Sequence, residues 1–386
     1  MKIGIVSSYF YPWYGGITEH VYHQYRELKR RGHDVRVITP FDGRYMLEDA
    51  GDLIRIGKPL FVRCNGSVGC VPLIGHGRER VKSVVAKEGF DILHFHQPLL
   101  CRVSMALIDG VRDERRRGRK APGIVGTFHS CGGRWERLLL VTLLGPYLRR
   151  FRADFDCKIA VSNASEEFMR SVLPGHYEIV PNGVDVERFA AGGEPVSELV
   201  DGRINVLFVG RLEPRKGIAE LLRSLALVAG HTATPFRLIV VGDGPYAKRY
   251  RTIAARQGVD NVVFVGDVSS HDLPRFYRTA QVFCSPAVSG ESFGIVLLEA
   301  MAAGLAVIGG DNEGYRKVIR SGQNGILVDP ADHDALARSI AALIDSPAER
   351  ARLGAQARRD SLRYRWADIF TVVEHMYRRV MADNQR

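Results

Sequence analysis

Short apolar runs rich in Val and Ile recur along the chain, separated by longer stretches in which apolar positions fall every three or four residues. The runs in the first half are IGIV from Ile3, VRVIT from Val35, DILHF from Asp91, GIVGTF from Gly123 and KIAVS from Lys158. Runs without alternation suit strands covered on both faces, so they predict βαβ units around a buried parallel sheet. The first intervening stretch sets Ile17, Val21, Tyr25 and Leu28 at near-helical spacing and stops at Arg30-Arg31-Gly32, with cations in the last turn before a glycine. After a turn-rich patch from Pro181 to Pro195 the pattern restarts with INVLFVG (Ile204), FRLIVVG (Phe236), NVVFVG (Asn261), QVFCSP (Gln281) and LAVIGG (Leu305). The expected fold class is α/β, with two doubly wound Rossmann-like domains, 1–185 and 200–365. Such sheets bind ligands beyond the carboxyl ends of their strands, so two facing domains would put an active site in a cleft between them.

Composition narrows this only modestly. With 46% hydrophobic and 25% charged residues in 386, the chain can bury a sizeable core, which excludes wholesale disorder. The longest apolar candidate, Leu138 to Leu148, is too short for a bilayer and contains Gly145 and Pro146. The N-terminus turns aromatic after its first run and reads as a strand, not a signal peptide. Six scattered cysteines without a CxxC pair suggest reduced thiols and no zinc. The net charge of +11 invites anionic partners without choosing among nucleic acid, anionic lipid and phosphorylated substrate.

Three motifs carry candidate chemistry. Tyr14-Gly15-Gly16 lies between the first strand and the first helix, where glycines let backbone approach a ligand and a helix N-terminus attracts phosphate. GRLEPRKG, Gly210 to Gly217, follows the strand that opens the second domain; Arg211 and Lys216 suit a diphosphate that gains negative charge as it leaves. GESFGIVLLE, Gly290 to Glu299, sets two carboxylates eight residues apart. A helix starting near Ser292 would offer the amides of Phe293, Gly294 and Ile295 to an anion, and Glu299, in an apolar helix, needs a partner such as ribose hydroxyls or a structural Arg. GDGPYA from Gly242 fits a dinucleotide fingerprint, but Pro245 would fall in the helical turn that should face a pyrophosphate; Gly242 is kept as a donor-binding candidate beside Gly210. His129 ends a buried run and would reach the sheet's carboxyl edge, whereas His94 and His96 read as a core residue and an edge residue instead of metal ligands.

On these motifs the sequence resembles the retaining glycosyltransferases of family four, with the GT-B fold, over nearly its whole length. The resemblance implies that Glu291 lies against the donor sugar, Glu299 binds the ribose, Arg211 and Lys216 hold the phosphates, and the C-terminal segment, 366–386, crosses back to the first domain. Within the family the chain is most similar to bacterial phosphatidylinositol mannosyltransferases, through Asn65-Gly66-Ser67-Val68, Phe128-His129-Ser130 and Glu291 to Gly304. That implies Tyr9, Asn65, Ser67 and His129 around the inositol phosphate and transferred sugar. Departures are Cys70 where an acceptor-side Arg is expected, Thr18 in place of the usual Gln after the glycine pair, and Arg134 as the basic residue downstream of the histidine.

The implied reaction moves mannose from GDP-mannose, or another sugar from a UDP-sugar, by front-face displacement, with Gly15 and Gly16 closing over the diphosphate. No DxD cluster is present, so Arg211 and Lys216 would take the place of Mg²⁺, and no tightly bound cofactor is expected. Arg78, Arg80 and Lys82, beside Val81, Val84 and Val85 at helical spacing, suggest an amphipathic anchor for anionic phospholipid, hence a peripheral protein at the inner face of the cell membrane. Alternatives are a soluble acceptor such as inositol phosphate or a polysaccharide, and a nucleic-acid-binding protein using the basic loop Asp113 to Gly123. That loop has no interleaved aromatics, so no nucleic-acid partner is expected.

Overall fold

The structure is a computed structural model. It describes residues 1–64, 67–73, 77–98, 101–130, 141–142 and 145–384, with backbone only for 62–64, 67–68 and 146. The chain forms two compact units, Met1–Asn182 together with Trp366–Arg386, and Gly183–Arg365.

In the first unit the strands are β1 (Lys2–Ser7), β2 (Asp34–Thr39), β3 (Leu53–Arg55), β4 (Lys58–Cys64), β5 (Ser67–Leu73), β6 (Ile92–His96), β7 (Gly123–Phe128), β8 (Cys157–Ala160) and β9 (Glu178–Ile179). Seven of them make one parallel sheet in the order β3-β2-β1-β6-β7-β8-β9. The second unit holds β10 (Ile204–Val209), β11 (Phe236–Val241), β12 (Val262–Gly266), β13 (Val282–Ser285), β14 (Ala306–Gly310) and β15 (Ile326–Val328). They form a second parallel sheet, β12-β11-β10-β13-β14-β15. Every apolar run that predicts a strand forms one. Strand order reverses between β1 and β6 in one sheet and between β10 and β13 in the other; at such a switch point neighbouring crossovers part to opposite faces and leave a crevice.

The sequence pattern missed the antiparallel hairpin β4–β5, paired from Lys58↔Leu73 to Cys64↔Ser67, because two prolines and a glycine interrupt its alternation. Asp113 to Arg116, expected in a basic loop, form instead the last turn of the helix Arg102–Arg116. Its neighbourhood is not free positive charge: Arg112 pairs with Asp154, Arg115 with Asp156, Arg117 and Arg119 with Glu114, and Lys120 with Asp91. The helix Arg78–Glu88 also differs from expectation. Val81 and Val85 are buried and Val84 packs on the same core, against the 102–116 helix. Its apolar side is therefore spent inside the unit, and Arg78 and Lys82 are paired with Asp109 and Asp113.

Among the described residues no helix is long and apolar enough to cross a membrane. Cys70, Cys101, Cys157 and Cys284 are buried free thiols.

The C-terminal helix Trp366–Asp383 follows the second unit in sequence but is part of the first. Trp366, Phe370, Val373, Tyr377 and Val380 join the core made by Ile3, Ile5, Val35, Val37, Ile92 and Val125. Contact is close enough that a Cβ on Gly123 would sit 2.4 Å from Val380 Cγ1, so β7 needs a glycine there. Phe370 is fully buried, so Phe370→Ala should destabilise the protein by about 3–5 kcal/mol. Urea unfolding should show the lower midpoint.

Candidate active site

In the second unit both switch-point strands end in charged loops. The loop after β10 carries Glu213, whose side chain is wholly buried and accepts from two cations: Arg211 Nη2 at 3.0 Å and Arg215 Nε at 3.1 Å. The loop after β13 carries Glu291, whose Oε1 accepts from Arg215 Nη1 at 2.7 Å and from Lys216 Nζ at 2.6 Å. Three cations thus share two carboxylates, leaving net positive charge at the carboxyl edge of the sheet. Burial works to lower the Arg215 pKa, but Glu291 and Glu213 outweigh it and shift it upward, so this guanidinium stays charged. Gly217 makes the junction of the loops possible: its φ is +72°, and a Cβ would stand 1.8 Å from the Pro286 carbonyl oxygen.

The helix predicted to start near Ser292 runs from Ile295 to Ala302, with Gly294 at its N-cap in the left-handed region (φ +88°). Its first-turn amides lack intrahelical acceptors, as at any helix start. Phe293 is buried with its ring against Tyr364. Glu299 is buried, and the partner it required is Tyr277, whose hydroxyl donates to Oε2 at 2.6 Å. A Cβ on Gly242 would lie 2.2 Å from the Gly210 carbonyl oxygen, so the two loops pack closely here, and the helix that follows begins only at Ala247.

In the first unit the loop after β1 folds on itself, with Ser7 Oγ donating to the Tyr9 carbonyl at 2.8 Å, while the Tyr9 hydroxyl accepts from the Cys70 amide at 3.1 Å. Gly15 is exposed and extended, and a Cβ on it would meet nothing within 4 Å, so the fold does not require this glycine. Thr18 is fully buried and donates its hydroxyl to the Trp13 carbonyl at 2.7 Å, which closes the turn. Arg78 and Arg80 are exposed, while Lys82 is half-buried between its helix and Asp113. Asn65, the Ser67 side chain and Arg134 fall outside the described residues.

Around His129 the structure assembles a cluster that sequence reading missed. His94 and His96 are both fully buried, His96 at the carboxyl end of β6, and their rings stack at 4.7 Å. His96 Nδ1 lies 2.9 Å from His129 Nε2, and His20 Nδ1 lies 2.9 Å from Asn182 Oδ1. Gln97, at φ +49°, aims its carboxamide oxygen at the amides of His129 and Ser130, at 2.9 and 3.2 Å. A non-glycine residue held in that conformation is uncommon, and here it fixes the backbone that presents His129. Burial pushes His20 down to about 4, against the Asn182 hydrogen bond, and His94 to about 3; burial also takes His96 and His129 well below the usual histidine value. Near neutral pH the four rings are therefore uncharged. Among the described residues no group of three His, Cys, Asp or Glu side chains has metal-binding geometry. The missed signal was the period of two in His94-x-His96 beside Gln24 on a facing helix, visible only once the elements pack.

Comparison with known proteins agrees with this layout. The sequence model described as "Glycosyl transferases group 1" matches residues 194–360, and that described as "Glycosyltransferase Family 4" matches 14–188. The chain is 32% identical over 385 residues to the phosphatidyl-myo-inositol mannosyltransferase of Mycobacterium tuberculosis (strain ATCC 25618 / H37Rv), covering 98% of this chain and 97% of that protein. It is 34% identical over 227 residues to the D-inositol 3-phosphate glycosyltransferase of Acidothermus cellulolyticus, covering 55% and 50%. The crystal structure of Anabaena Alr3699/HepE in complex with UDP superposes with a TM-score of 0.75 at 20% identity, over 97% of this chain and 99% of that one. The fold is GT-B.

The neutral cluster makes stability depend on pH. For His20 and His94 the folded pKa lies below the unfolded value of about 6.5, so the unfolded state binds more protons between the two values. Their contribution is complete above about pH 6.5 and is lost as pH falls toward about 4 for His20 and about 3 for His94. The urea midpoint should hold level above pH 7 and fall between pH 6.5 and 4, less steeply in His20→Gln.

Proposed function

This chain belongs to the family four glycosyltransferases and is a hexosyltransferase, and we propose that it moves mannose from GDP-mannose, with retention, to a phosphatidylinositol-type lipid at the inner face of the cell membrane. The observation that carries the reading is the Arg211, Arg215 and Lys216 group around Glu213 and Glu291, three cations on two carboxylates at the switch point of the second unit. The donor diphosphate binds there and to the amides at Gly294 and Ile295, Glu291 faces the sugar, and Glu299 takes the ribose with Tyr277. Tyr9, Asn65, Ser67 and His129 take the acceptor, with Gly15 and Gly16 close to the phosphates. The bond between the anomeric carbon and the phosphate oxygen breaks, the acceptor oxygen bonds to the same face, and the acceptor proton passes to the departing phosphate. The cations meet charge that grows along this path, so most of the acceleration is electrostatic. Mannose and the inositol lipid rest on the names of full-length relatives.

A soluble inositol phosphate acceptor is the second reading, favoured by the inward packing of the valines on the 78–88 helix. For the lipid reading, membrane contact falls on a different surface. Tyr14, Tyr45, Leu60, Phe61 and Leu73 are exposed, with Phe61 stacked on Trp13 and exposed Lys58 opposite Leu73. Aromatic and aliphatic side chains beside cations suit a bilayer interface.

Incubation with GDP-mannose and phosphatidylinositol vesicles should give an α-linked product by NMR, and turnover should persist in EDTA; a β linkage or a requirement for free inositol phosphate would overturn the respective parts. Arg211→Ala and Lys216→Ala should each raise the barrier by about 2–4 kcal/mol, with a smaller loss of donor affinity. Glu299→Ala should act mainly on GDP binding, measured by calorimetry. Vesicle co-sedimentation should fall more for Leu60→Ser with Leu73→Ser than for Ser at Arg78, Arg80 and Lys82 together.

A further inference from the structure

Beneath His129 lies a continuous file of buried hydrogen bonds that the proposed chemistry does not use. From His129 Nε2 it passes to His96 Nδ1 at 2.9 Å, from His96 Nε2 to Gln24 Oε1 at 2.5 Å, and from Gln24 Nε2 to the Tyr377 hydroxyl at 2.6 Å. The hydroxyl then meets His94 Nδ1 at 2.5 Å, and His94 Nε2 meets Thr127 Oγ1 at 2.7 Å. Gln24 Nε2 also lies 2.8 Å from His94 Nδ1, closing a small triangle. Gln24, His94, His96 and Tyr377 are all fully buried, so water cannot make good a missing donor or acceptor.

The orientation of Gln24 sets the direction of every proton in the file. Its carbonyl oxygen can only accept, so His96 carries its hydrogen on Nε2. Neutral His96 then has a lone pair on Nδ1, which must be met by a hydrogen on Nε2 of His129. At the other end the Gln24 amide donates to Tyr377, Tyr377 donates to His94 Nδ1, and His94 donates to Thr127. All members are satisfied, and His129 Nδ1, which bonds to no other side chain or backbone group of the described residues, presents a bare lone pair.

We propose that Tyr377 of the C-terminal helix, acting through Gln24 and His96, is a positioning residue that holds His129 as the neutral Nε2–H tautomer, so that Nδ1 accepts a hydrogen bond from a hydroxyl of the transferred sugar or of the acceptor. This rests on the reading of the first unit as the side that meets those hydroxyls. It also gives the C-terminal helix a task beyond packing: the hydroxyl at its Tyr377 accepts from the Gln24 amide and links it to His94. Without that oxygen the amide loses the acceptor that its present orientation serves and can reverse, every proton in the file reverses with it, and His129 would show a donor where an acceptor is needed.

The test starts with histidine ¹⁵N-labelled full-length protein at pH 7.5 without substrate, the His129 signal being assigned by its loss in His129→Gln. Two-bond ¹H–¹⁵N correlation should show a single Nε2–H tautomer; an Nδ1–H tautomer or a charged ring would overturn the proposal. Tyr377→Phe and Gln24→Met, which keep the bulk of the side chain, should each give a mixture of tautomers and lower kcat about five- to tenfold with little change in the KM for GDP-mannose. If donor hydrolysis without acceptor falls equally, the hydroxyl belongs to the sugar; if only transfer falls, it belongs to the acceptor. Lowered rates with an unchanged tautomer, or both variants within about twofold of the parent in rate, would assign the file a structural role only. Should no lipid or inositol acceptor be used at all, the functional reading fails while the spectra still decide the tautomer.

Discussion

Strands buried on both faces leave room for polar chemistry only where they end. In each sheet the strands flanking the reversal of order are almost wholly apolar along their length and finish in polar or charged residues: Ser7 and His96 at one switch point, Gly210 to Lys216 and Glu291 beyond the other. The neighbouring crossovers diverge there, so backbone amides and side chains are open to a ligand without breaking the sheet. Gly217, in the left-handed region against the Pro286 carbonyl, is what the second unit needs to bring its two charged loops together.

The two units handle electrostatics in opposite ways. In the second unit, charge is kept by pairing: Glu213 is wholly buried, which is tolerable only because Arg211 and Arg215 both donate to it. Replacing it with an apolar residue would take one carboxylate partner from each of two guanidiniums. The cluster is therefore held in place by its own ion pairs. Tyr277 performs a similar service for Glu299, holding one carboxylate oxygen and leaving the group oriented within an apolar helix.

In the first unit charge is avoided. Four histidines that would be half protonated near pH 6.5 in water are kept neutral chiefly by burial, with the neighbouring histidines adding to the effect at His94, His96 and His129. Neutral imidazoles have a direction, and a buried file of them passes that direction from the C-terminal helix to His129. Gln97 completes the arrangement from the backbone side, its strained conformation offset by two amide hydrogen bonds.

The amino-acid sequence by itself determined the ten principal strands, the two-sheet α/β class and the loops that carry Arg211, Lys216, Glu291 and His129, because buried parallel strands and strand-end glycines leave local signatures. It also pointed to the family, through motifs that are contiguous in the chain. Tertiary structure alone decided which partner each of these groups has. The valines at 81, 84 and 85 look the same in sequence whether they meet lipid or the 102–116 helix, and packing settled on the helix. Thr18 was drawn into a turn, and Gly242 into contact with Gly210. Gln24, His94 and Tyr377 are separated by 70 and 283 residues, so no local pattern could have joined them. Hydrogen-bond direction depends on three-dimensional neighbours, and it is there that the chemistry of His129 was set.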